Sequence, residues 1–455
     1  MSCDISLAYK SVRDRRPAQR LTCDVLVVGG GATGLAAAVT AAEQGSRVLL
    51  LERYGFCGGG AVAGLSGTVC GLYEATDAPA SGPRQVVHGF AQRFLDELRA
   101  HNGLGPAVQY GKTWTHVHEP LAWREAADAL LERSGVQVIH HALATGVLVE
   151  GGERVEGVIA YTKQGPVEVR AAVTIDASGD ADLVAMAGWT TFMGAEGRVQ
   201  NPTMIFRLQG VDVAKFVDAY GTDTIMPVQV SEAIAQAASS GAYRLPRQKI
   251  WMFPTTRPGE LLCNCTRILG ADGRELNATF ARDFSEAETQ GRLQVREYAR
   301  FFRDRLVGCE NSWVNDTAVQ VGVRQTRQGQ GVAVLRNADI LAGRKFDDGV
   351  ARSPWPIELH SGHKPMVNWL LEDWYEIPYG CFVPERGLGL LFAGRCLSAE
   401  HEAVASARVT AQCFSYGHAV GHAAALAAHE RIEPSALKGR DIRSLLNRDG
   451  ARLDD

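Results

Sequence analysis

The chain has 455 residues, of which 46% are hydrophobic and 22% charged, and its formal net charge is −4. This composition is typical of a soluble globular protein, and the small negative charge gives no general attraction to nucleic acid or to anionic membranes. The length predicts about three domains of ordinary size, or two with insertions. Of the ten cysteines, only Cys263 and Cys265 lie close together in sequence. Because neither zinc-ligand spacing nor a disulfide framework is present, we expect reduced thiols in a cytoplasmic protein.

The first twenty residues contain four arginines but no apolar stretch of the kind that a secretory signal carries. We therefore expect residues 1–20 to form a flexible arm. Residues 21–42 are apolar enough to suggest a membrane helix, but Asp24 and the glycines that follow it fit a strand and a turn better. No membrane span is predicted.

The stretch from residue 23 to residue 53 predicts a strand, a glycine turn, a helix and a second strand. Residues 24–28 are a short apolar run, and it leads into residues 29–34, which satisfy the pattern G-x-G-x-x-G. A helix is predicted at 35–44, and the second strand ends at Glu52. Glu52 follows the last glycine by 18 residues, close to the spacing of about 20 at which an acidic residue binds a ribose.

This order of elements favours the binding of a dinucleotide. The glycines permit a tight turn, the approach of a pyrophosphate and close packing of the helix on the sheet. The helix N-terminus attracts the phosphates, and Glu52 can accept hydrogen bonds from ribose hydroxyls. The predicted binding residues of this element are Gly29, Gly31, Ala32, Thr33, Gly34 and Glu52. The alternative is a glycine loop in another kind of α/β domain.

Other predicted strands also end in small residues. These strand ends are, in chain order, residues 53–60, residues 176–180, and Gly394 with Arg395. Strand ends of this kind lie at the crevice where an α/β sheet binds its ligand. Downstream, a long helix is predicted to start near Ser406, and Gly417 and Gly421 would let another element approach it closely.

From about residue 193 to residue 375 the sequence is richer in charge and in tryptophan, which predicts an inserted second domain. Within it, residues 284–306 are predicted to form a charged amphipathic helix with a solvated face. An apolar strand is predicted at 318–323, and Arg324 directly follows it. An arginine in such a place is usually part of a surface ion pair.

Together, the separated motifs resemble the FAD-dependent oxidoreductase family within the glutathione-reductase-like flavoproteins, over most of the chain. The motifs that carry the resemblance are Leu51-Glu52-Arg53 with Gly58-Gly59, Ile175-Asp176-Ala177-Ser178-Gly179-Asp180, Val321-Gly322-Val323-Arg324, Asp347-Asp348-Gly349-Val350-Ala351 with His360, and Ala393-Gly394-Arg395-Cys396-Leu397-Ser398-Ala399 with His401, Ser406, Arg408 and Gly417. One departure is Gln325, because relatives place Glu after the middle-domain arginine. This leaves open whether any acid or base role of that Glu carries over.

The resemblance implies an α/β fold, with a Rossmann-type FAD-binding domain (a parallel sheet with a β-meander) and an inserted α+β substrate domain. The implied division is a flexible N-terminal arm at 1–20, a discontinuous FAD-binding domain at 21–192 and 376–435, a substrate or cap domain at 193–375, and a C-terminal tail at 436–455. The resemblance also adds cofactor-binding residues to those above, namely Arg53, Gly58, Gly59, Ser178, Gly179, Asp180, Gly394 and Arg395.

The leading hypothesis is an FAD-dependent oxidoreductase of the dehydrogenase or oxidase type, in which bound flavin exchanges a hydride with a small organic substrate. The alternatives are an NAD(P)-dependent dehydrogenase and a flavin-binding protein without redox turnover. No second G-x-G-x-x-G opens a helix and no C-x-x-C is present, so neither a dedicated nicotinamide domain nor disulfide-reductase chemistry is predicted. Oxygen, a quinone or a separate carrier would then be the electron partner. The substrate, the reaction direction and the oligomeric state stay open.

Three residues are candidates for the catalytic face, in the order His401, Arg408 and Arg324. In the resembling family the loop that contains His401 passes close to the isoalloxazine ring, and an imidazole pKa of about 6.5 suits proton transfer near neutral pH. Arg408 and Arg324 could converge from both domains on an anionic or carbonyl oxygen of the substrate. The structural alternative places His401 at a helix entry and the arginines in interdomain ion pairs. No metal site is predicted.

Overall fold

The computed structural model describes residues 19–78, 82–360 and 366–455. Of the predicted N-terminal arm, residues 1–18 lie outside the described residues, while Gln19 and Arg20 already belong to the first strand. Among the described residues, no helix is long and apolar enough to cross a membrane.

The strands, in chain order, are β1 Gln19–Val28, β2 Val48–Glu52, β3 Thr68–Val69, β4 Leu104–Tyr110, β5 Thr113–His118, β6 Gln137–His140, β7 Leu143–Glu150, β8 Arg154–Thr162, β9 Gly165–Asp176, β10 Thr191–Met193, β11 Phe206–Gln209, β12 Trp251–Pro254, β13 Glu260–Asn264, β14 Trp313–Thr317, β15 Arg327–Gly329, β16 Gly349–Ser353, β17 Ile357–Leu359, β18 Met366–Asn368, β19 Tyr375–Pro378 and β20 Leu390–Phe392. The α-helices are α1 Ala32–Glu43, α2 Gly59–Val62, α3 Phe90–Ala100, α4 Pro120–Arg133, α5 Asp182–Met186, α6 Val213–Tyr220, α7 Val228–Ser239, α8 Ala281–Arg305, α9 Asn337–Leu341, α10 His401–Ala407, α11 Thr410–Glu430 and α12 Gly439–Arg448.

The largest sheet runs in the order β6, β2, β1, β9, β8, β7. The first four strands are parallel, β20 adds in parallel to the C-terminal part of β9, and β8 and β7 continue as an antiparallel meander. Every residue of β2 is buried, which is why its sequence is a continuous apolar run rather than an alternating one. The predicted parallel sheet with a β-meander is therefore confirmed.

Helix α11 lies directly on α1, and two glycines make this possible. A Cβ atom at Gly417 would collide with the carbonyl oxygen of Thr33, and one at Gly421 would lie 2.8 Å from the carbonyl oxygen of Ala37. The predicted close approach at these glycines is confirmed. The predicted single helix from near Ser406 is instead two helices, α10 and α11, because Val409 between them has an extended backbone (φ −78°, ψ 165°).

A second core surrounds a four-stranded antiparallel sheet in the order β12, β13, β11, β14. Helix α8 covers it with one apolar face, whose buried residues include Val295, Tyr298 and Phe302, while its charged residues face solvent. The helix predicted at 284–306 is confirmed, with a buried as well as a solvated face. The strand predicted at 318–323 is wrong: β14 ends at residue 317, and the chain then leaves the sheet, with a single bridge from Gly322 to Thr203.

The cores divide the chain differently from the predicted domains. Leu335, Val350 and Ile357 belong to the same core as α1 and β1, although they fall within the predicted substrate domain of 193–375. Ile442 and Leu446 of α12 are buried in that core too, so the predicted tail at 436–455 contains a packed helix. The exact domain boundaries stay a prediction.

Candidate functional site

The glycine turn between β1 and α1 contains two kinds of glycine. Gly29 has a φ of +100°, and a Cβ there would lie 2.5 Å from the carbonyl oxygen of Ala177; a Cβ at Gly34 would collide with the carbonyl oxygen of Gly29. These two residues are glycine because backbone segments touch. Gly31 has an ordinary φ of −67°, and the atom nearest to a Cβ added there would be the Cα of Gly59, at 3.9 Å. The side of Gly31 therefore faces open space.

The N-terminus of α1 is free to bind an anion. The helix begins at Ala32 after the capping residue Gly31, and no side chain caps it. The N–H groups of a first helical turn have no partner inside the helix, and the helix dipole adds positive potential there. Across from it lies the second glycine cluster, where a Cβ at Gly59 (φ +46°) would lie 2.9 Å from the Cα of Gly31. Two backbone surfaces without side chains thus flank a helix N-terminus.

Glu52 lies at the end of β2 beside this turn, as the sequence predicts. Its side chain is 4% exposed; Oε2 accepts a hydrogen bond from Gly30 N at 2.6 Å and Oε1 accepts one from Tyr54 N at 2.8 Å. Burial raises the pKa of this carboxyl, although both hydrogen bonds oppose the rise. Glu52 thus joins the two glycine loops. The Arg53 guanidinium donates to Gln320, and its charge also acts on Glu52 and Asp180.

The ends of β1, β9 and β20 lie side by side, since Val28 and Phe392 both pair with Asp176. Asp176 is fully buried and accepts hydrogen bonds from Ser178 and from the first turn of α5, so the Ser178 hydroxyl is engaged within the protein. Gly394 (φ +94°) meets the first turn of α1, where its Cβ would lie 2.8 Å from Thr33 Oγ1. The three predicted strand-end motifs therefore converge at one edge of the sheet, which we call the glycine edge (residues 29–34, 52–59, 178–180 and 394–395).

Asp180 and Arg395 form a neutral pair at this edge. The Arg395 guanidinium lies 2.9 Å from Asp180 Oδ1 and donates to Thr326 Oγ1 at 3.2 Å, while Thr326 donates to Asp180 at 2.5 Å. Burial alone would raise the pKa of Asp180, but Arg395 and the Thr326 hydroxyl hold it below its ordinary value. A Cβ at Gly179 would lie 2.9 Å from Arg395, so this glycine makes room for the pair.

A second group of charged side chains lies where the two cores meet. Arg324 is 7% exposed and Arg247 is 3% exposed, and both donate to the same oxygen, Asn264 Oδ1, at 3.3 and 3.1 Å. Arg324 also donates to the carbonyl oxygen of Asn201 at 2.9 Å, and Arg408 donates to the side chain of the preceding residue, Gln200, at 3.3 Å. The structure thus brings Arg324 and Arg408 together, and it adds Arg247.

Glu358 and His360 complete this group, which we call the arginine cluster (Arg247, Arg324, Arg408, Glu358 and His360). Glu358 accepts a hydrogen bond from Tyr110 at 2.9 Å, and its Oε1 lies 3.8 Å from His360 Nε2. Burial raises the pKa of Glu358 against the pull of the arginines, whereas burial and the arginines both lower the pKa of His360 far below its ordinary value. Burial also lowers the pKa of Arg324, as do the charges of Arg247 and Arg408.

His401 lies apart from the arginine cluster. It begins α10, and the charged groups that act on its imidazole are Glu275, Glu402 and Arg198. Burial nevertheless lowers its pKa. The imidazole that the structure places among the arginines is that of His360, which the sequence motifs contain but which was not a catalytic candidate.

Buried polar atoms without a partner among the described residues occur in many parts of the molecule, and some belong to the arginine cluster, to Gln200 beside it or to residues close to it in sequence. Those in this region are both amide atoms of Gln325 and of Gln328, Nε2 of Gln200, Nε of Arg408, one terminal nitrogen of Arg247 and Nδ1 of His360. Polar groups buried in this way normally bind a partner. The free helix N-terminus, the glycine faces and these atoms fit a bound dinucleotide together with a polar small molecule.

Among the described residues, one set of side chains has the spacing of metal ligands: His418, His422 and Asp449. The carboxylate accepts from both imidazoles, at 2.7 and 3.2 Å, and these hydrogen bonds hold the pKa of Asp449 below its ordinary value. The set joins α11 to the end of α12, and its members satisfy one another.

Comparison with known proteins adds a family match over nearly the whole chain. Residues 24–446 match the model of the FAD dependent oxidoreductase family. A thiamine thiazole synthase from Aeropyrum pernix is 29% identical over 245 residues, which cover 50% of this chain and 77% of that protein.

Three solved structures illustrate the similarity in fold. A geranylgeranyl bacteriochlorophyll reductase-like protein from Thermoplasma acidophilum is 16% identical, covers 95% of this chain and 92% of its own, and has a TM-score of 0.46. The p-nitrophenol 4-monooxygenase from Pseudomonas putida is 12% identical, covers 95% of this chain and 87% of its own, and has a TM-score of 0.48. The L-proline dehydrogenase from P. horikoshii is 11% identical, covers 95% of this chain and 99% of its own, and has a TM-score of 0.44.

Proposed function

Because the chain belongs to the FAD-dependent oxidoreductase family, we propose that it holds FAD along the glycine edge and exchanges a hydride with a small organic substrate held at the arginine cluster. The single observation that carries this proposal is the segment 324–327, which reaches both places. Arg324 belongs to the arginine cluster, whereas Thr326 and Arg327 bind Asp180 at the glycine edge. A ligand at the cluster would therefore lie next to the cofactor.

Each part of the glycine edge has a proposed task toward FAD. The N–H groups of the first turn of α1 would hold the pyrophosphate, with the bare backbone of Gly31 and Gly59 giving it room. Glu52 would accept from the adenosine ribose. The residues proposed to contact the cofactor are Gly29, Gly31, Ala32, Thr33, Gly34, Glu52, Gly58, Gly59, Ser178, Gly179, Asp180, Gly394 and Arg395, with Arg53 the weakest of the set because it binds Gln320.

Bound FAD supplies the hydride chemistry, and the protein contributes binding, orientation and charge. Arg324 and Arg408 would hold an anionic or carbonyl oxygen of the substrate in a dry setting, where charged hydrogen bonds are strong. His360 is the proposed proton carrier in place of His401: its lowered pKa keeps it neutral and able to accept a proton, and an anion bound among the arginines would raise that pKa again.

The test begins with the colour of the purified protein. We expect the yellow absorbance of flavin, and release of FAD rather than another flavin on denaturation. Anaerobic mixing with a panel of alcohols, amines and acids should then bleach the flavin with at least one member. A protein that stays colourless after incubation with FAD would contradict the proposal, and a yellow protein that no compound reduces would favour flavin binding without turnover.

The electron partner follows from the same preparation. Reoxidation of the reduced protein is measured with air, with a soluble quinone and with an oxidised carrier protein. Rapid reoxidation by air favours an oxidase, whereas reoxidation by the quinone or the carrier alone favours a dehydrogenase. The cytoplasmic location and the small-molecule partner stay predictions.

A further inference from the structure

The arginine cluster carries more positive charge than its protein surroundings balance. Among the described residues, every hydrogen bond from its three guanidinium groups ends on a neutral oxygen, either a backbone carbonyl or a side-chain amide. Glu358 is the carboxylate whose charge acts on all three arginines in this part of the chain, and Tyr110 already donates to it. Two positive charges therefore have no counterion among residues 19–78, 82–360 and 366–455.

The undescribed internal segments do not supply the missing charge. Residues 79–81 and 361–365 contain no acidic residue. Buried charges are normally paired, because removing an ion from water costs far more than neutral hydrogen bonds return. Like charges on neighbouring guanidinium groups add to that cost. Such an arrangement is maintained in a protein when a ligand completes it.

The positions of the arginines indicate what the ligand carries. Arg247 and Arg324 form a pair, since both donate to Asn264 Oδ1. Arg408 donates to a different acceptor, the side-chain oxygen of Gln200. A pair of guanidinium groups and a separate third one suit two acidic groups at different ends of one molecule better than they suit one phosphate. Planar guanidinium groups also match the two oxygens of a carboxylate.

The walls around these charges are aromatic. The Arg247 guanidinium lies over the ring of Trp251 at 4.5 Å, and Tyr110 packs between Trp251 and Trp355 with ring centroids 6.1 and 5.0 Å away. Both tryptophans are 1% exposed. Flat apolar walls of this kind favour a short organic backbone between the acidic groups over a hydrated inorganic ion.

We propose that the arginine cluster binds a small organic dicarboxylate, with one carboxylate at Arg247 and Arg324 and the other at Arg408. This inference rests on the proposed function in one respect, because it takes the dicarboxylate to be the substrate or product of the flavin reaction. The binding of the dicarboxylate can be tested without any turnover.

The test is a binding series on the FAD-loaded protein in a buffer without small anions. Titration calorimetry and the visible spectrum of the flavin are followed with malonate, succinate, glutarate and adipate. The matched probes are butyrate, 1,4-butanediol and glycerol 3-phosphate. We expect at least one dicarboxylate to bind on the order of tenfold or more tightly than butyrate, and no binding of the diol. Equal binding of dicarboxylate and monocarboxylate, or tighter binding of glycerol 3-phosphate, would overturn the proposal.

Variants identify the side chains. Arg324→Gln and Arg247→Gln should each weaken the best dicarboxylate on the order of tenfold or more, while Arg296→Gln, at an exposed position of α8, should leave it unchanged. The midpoint of thermal unfolding without ligand is a second readout. Removing one of several buried charges that repel each other should leave this midpoint unchanged or raise it. Removing an arginine with a purely structural role would lower it. A lowered midpoint with unchanged dicarboxylate affinity would count against the proposal.

The two proposals fail in different ways. If a dicarboxylate binds through the arginines but none alters the redox state of the flavin, the binding site stands and the redox assignment is weakened. If uncharged alcohols or amines reduce the flavin and no dicarboxylate binds, the redox function stands and this inference falls. Should an arginine variant fail to fold, the binding series on the unaltered protein still decides the question.

Discussion

The glycine edge and the arginine cluster adjoin each other, yet they balance charge in opposite ways. At the glycine edge, Asp180 and Arg395 neutralise each other, and Asp176 has its oxygens filled by four hydrogen-bond donors. At the arginine cluster, Arg247, Arg324 and Arg408 meet only neutral acceptors. At the glycine edge the charged side chains already have partners, and the edge presents backbone N–H groups and open space to a ligand. At the arginine cluster the charges would be balanced only by a bound anion. Substitutions at the two regions should therefore differ in whether they lower the stability of the fold or the binding of a ligand.

The largest expected effect separates two glycines of one turn. Gly31→Val adds a side chain where the structure has open space, so the protein should fold and yet lack FAD. Gly34→Ala forces a Cβ into the carbonyl oxygen of Gly29, and we expect it to cost about 3 kcal/mol or more of unfolding free energy. Flavin content and urea unfolding are measured on both. A yellow, active Gly31→Val protein would show that the turn does not carry the cofactor.

The next effect tests whether Glu52 serves the cofactor as well as the fold. Glu52→Ala removes an acceptor that could bind the ribose, and two charged hydrogen bonds together are worth about 3 to 6 kcal/mol. We expect the FAD affinity to fall on the order of a hundredfold or more, as measured by fluorescence titration of the cofactor-free protein. Glu52→Gln is the control that keeps the shape. Full flavin occupancy of Glu52→Ala after dialysis would contradict the assignment.

A smaller effect should distinguish the two histidines. His360→Gln should lower the anaerobic rate of flavin reduction by about a hundredfold or more, the range expected for a lost general acid or base, while His401→Ala should lower it less than about tenfold. Both rates are compared at equal flavin content. If the order is reversed, the proton is carried from the start of α10 rather than from the arginine cluster.

The smallest expected effect concerns pH. The pKa of folded His360 is lowered, so the unfolded chain takes up this proton first as the pH falls below about 6.5, and the folded state loses stability toward acid. For one such group the loss between pH 6.5 and pH 5 is about 2 kcal/mol. In urea unfolding at pH 6.5 and at pH 5, the unaltered protein should therefore lose about that much more unfolding free energy than His360→Gln does. Parallel curves would show that this imidazole has the same pKa in the folded and the unfolded chain.

The glycine edge could be predicted from the sequence because each part is a contiguous run after an apolar strand. A parallel sheet places the ends of its strands together, so the convergence of residues 29–34, 176–180 and 394–395 follows from local patterns. The break between α10 and α11 was missed, since Ala407-Arg408-Val409-Thr410 contains neither glycine nor proline. The predicted strand at 318–323 was wrong because Ala318 and Val321 pack into the second core from a segment outside the sheet, while Val319 is exposed.

The arginine cluster could be predicted only in part. Arg324 and Arg408 stood out because they lie in motifs, but Arg247 precedes β12 with no pattern that distinguishes it from other arginines. Which arginines lie close together depends on how the second core packs on the first. The spacing of residues along the sequence does not predict this packing. His401 was preferred because, in the resembling family, the loop that contains it passes close to the isoalloxazine ring. The available signal for His360 was its position directly after the buried strand β17.

The packing of α11 on α1 through Gly417 and Gly421 has a consequence for how the protein is made. The helix that would hold the pyrophosphate is synthesised early, but its covering helix and the strand β20 emerge only near the end of the chain. At about 5 to 20 residues per second, the ribosome leaves α1 uncovered for tens of seconds. During that time its apolar face needs protection, and a nascent chain that stops before residue 390 would have no finished nucleotide site. We therefore expect the cofactor to bind only after residues 390–430 have been synthesised.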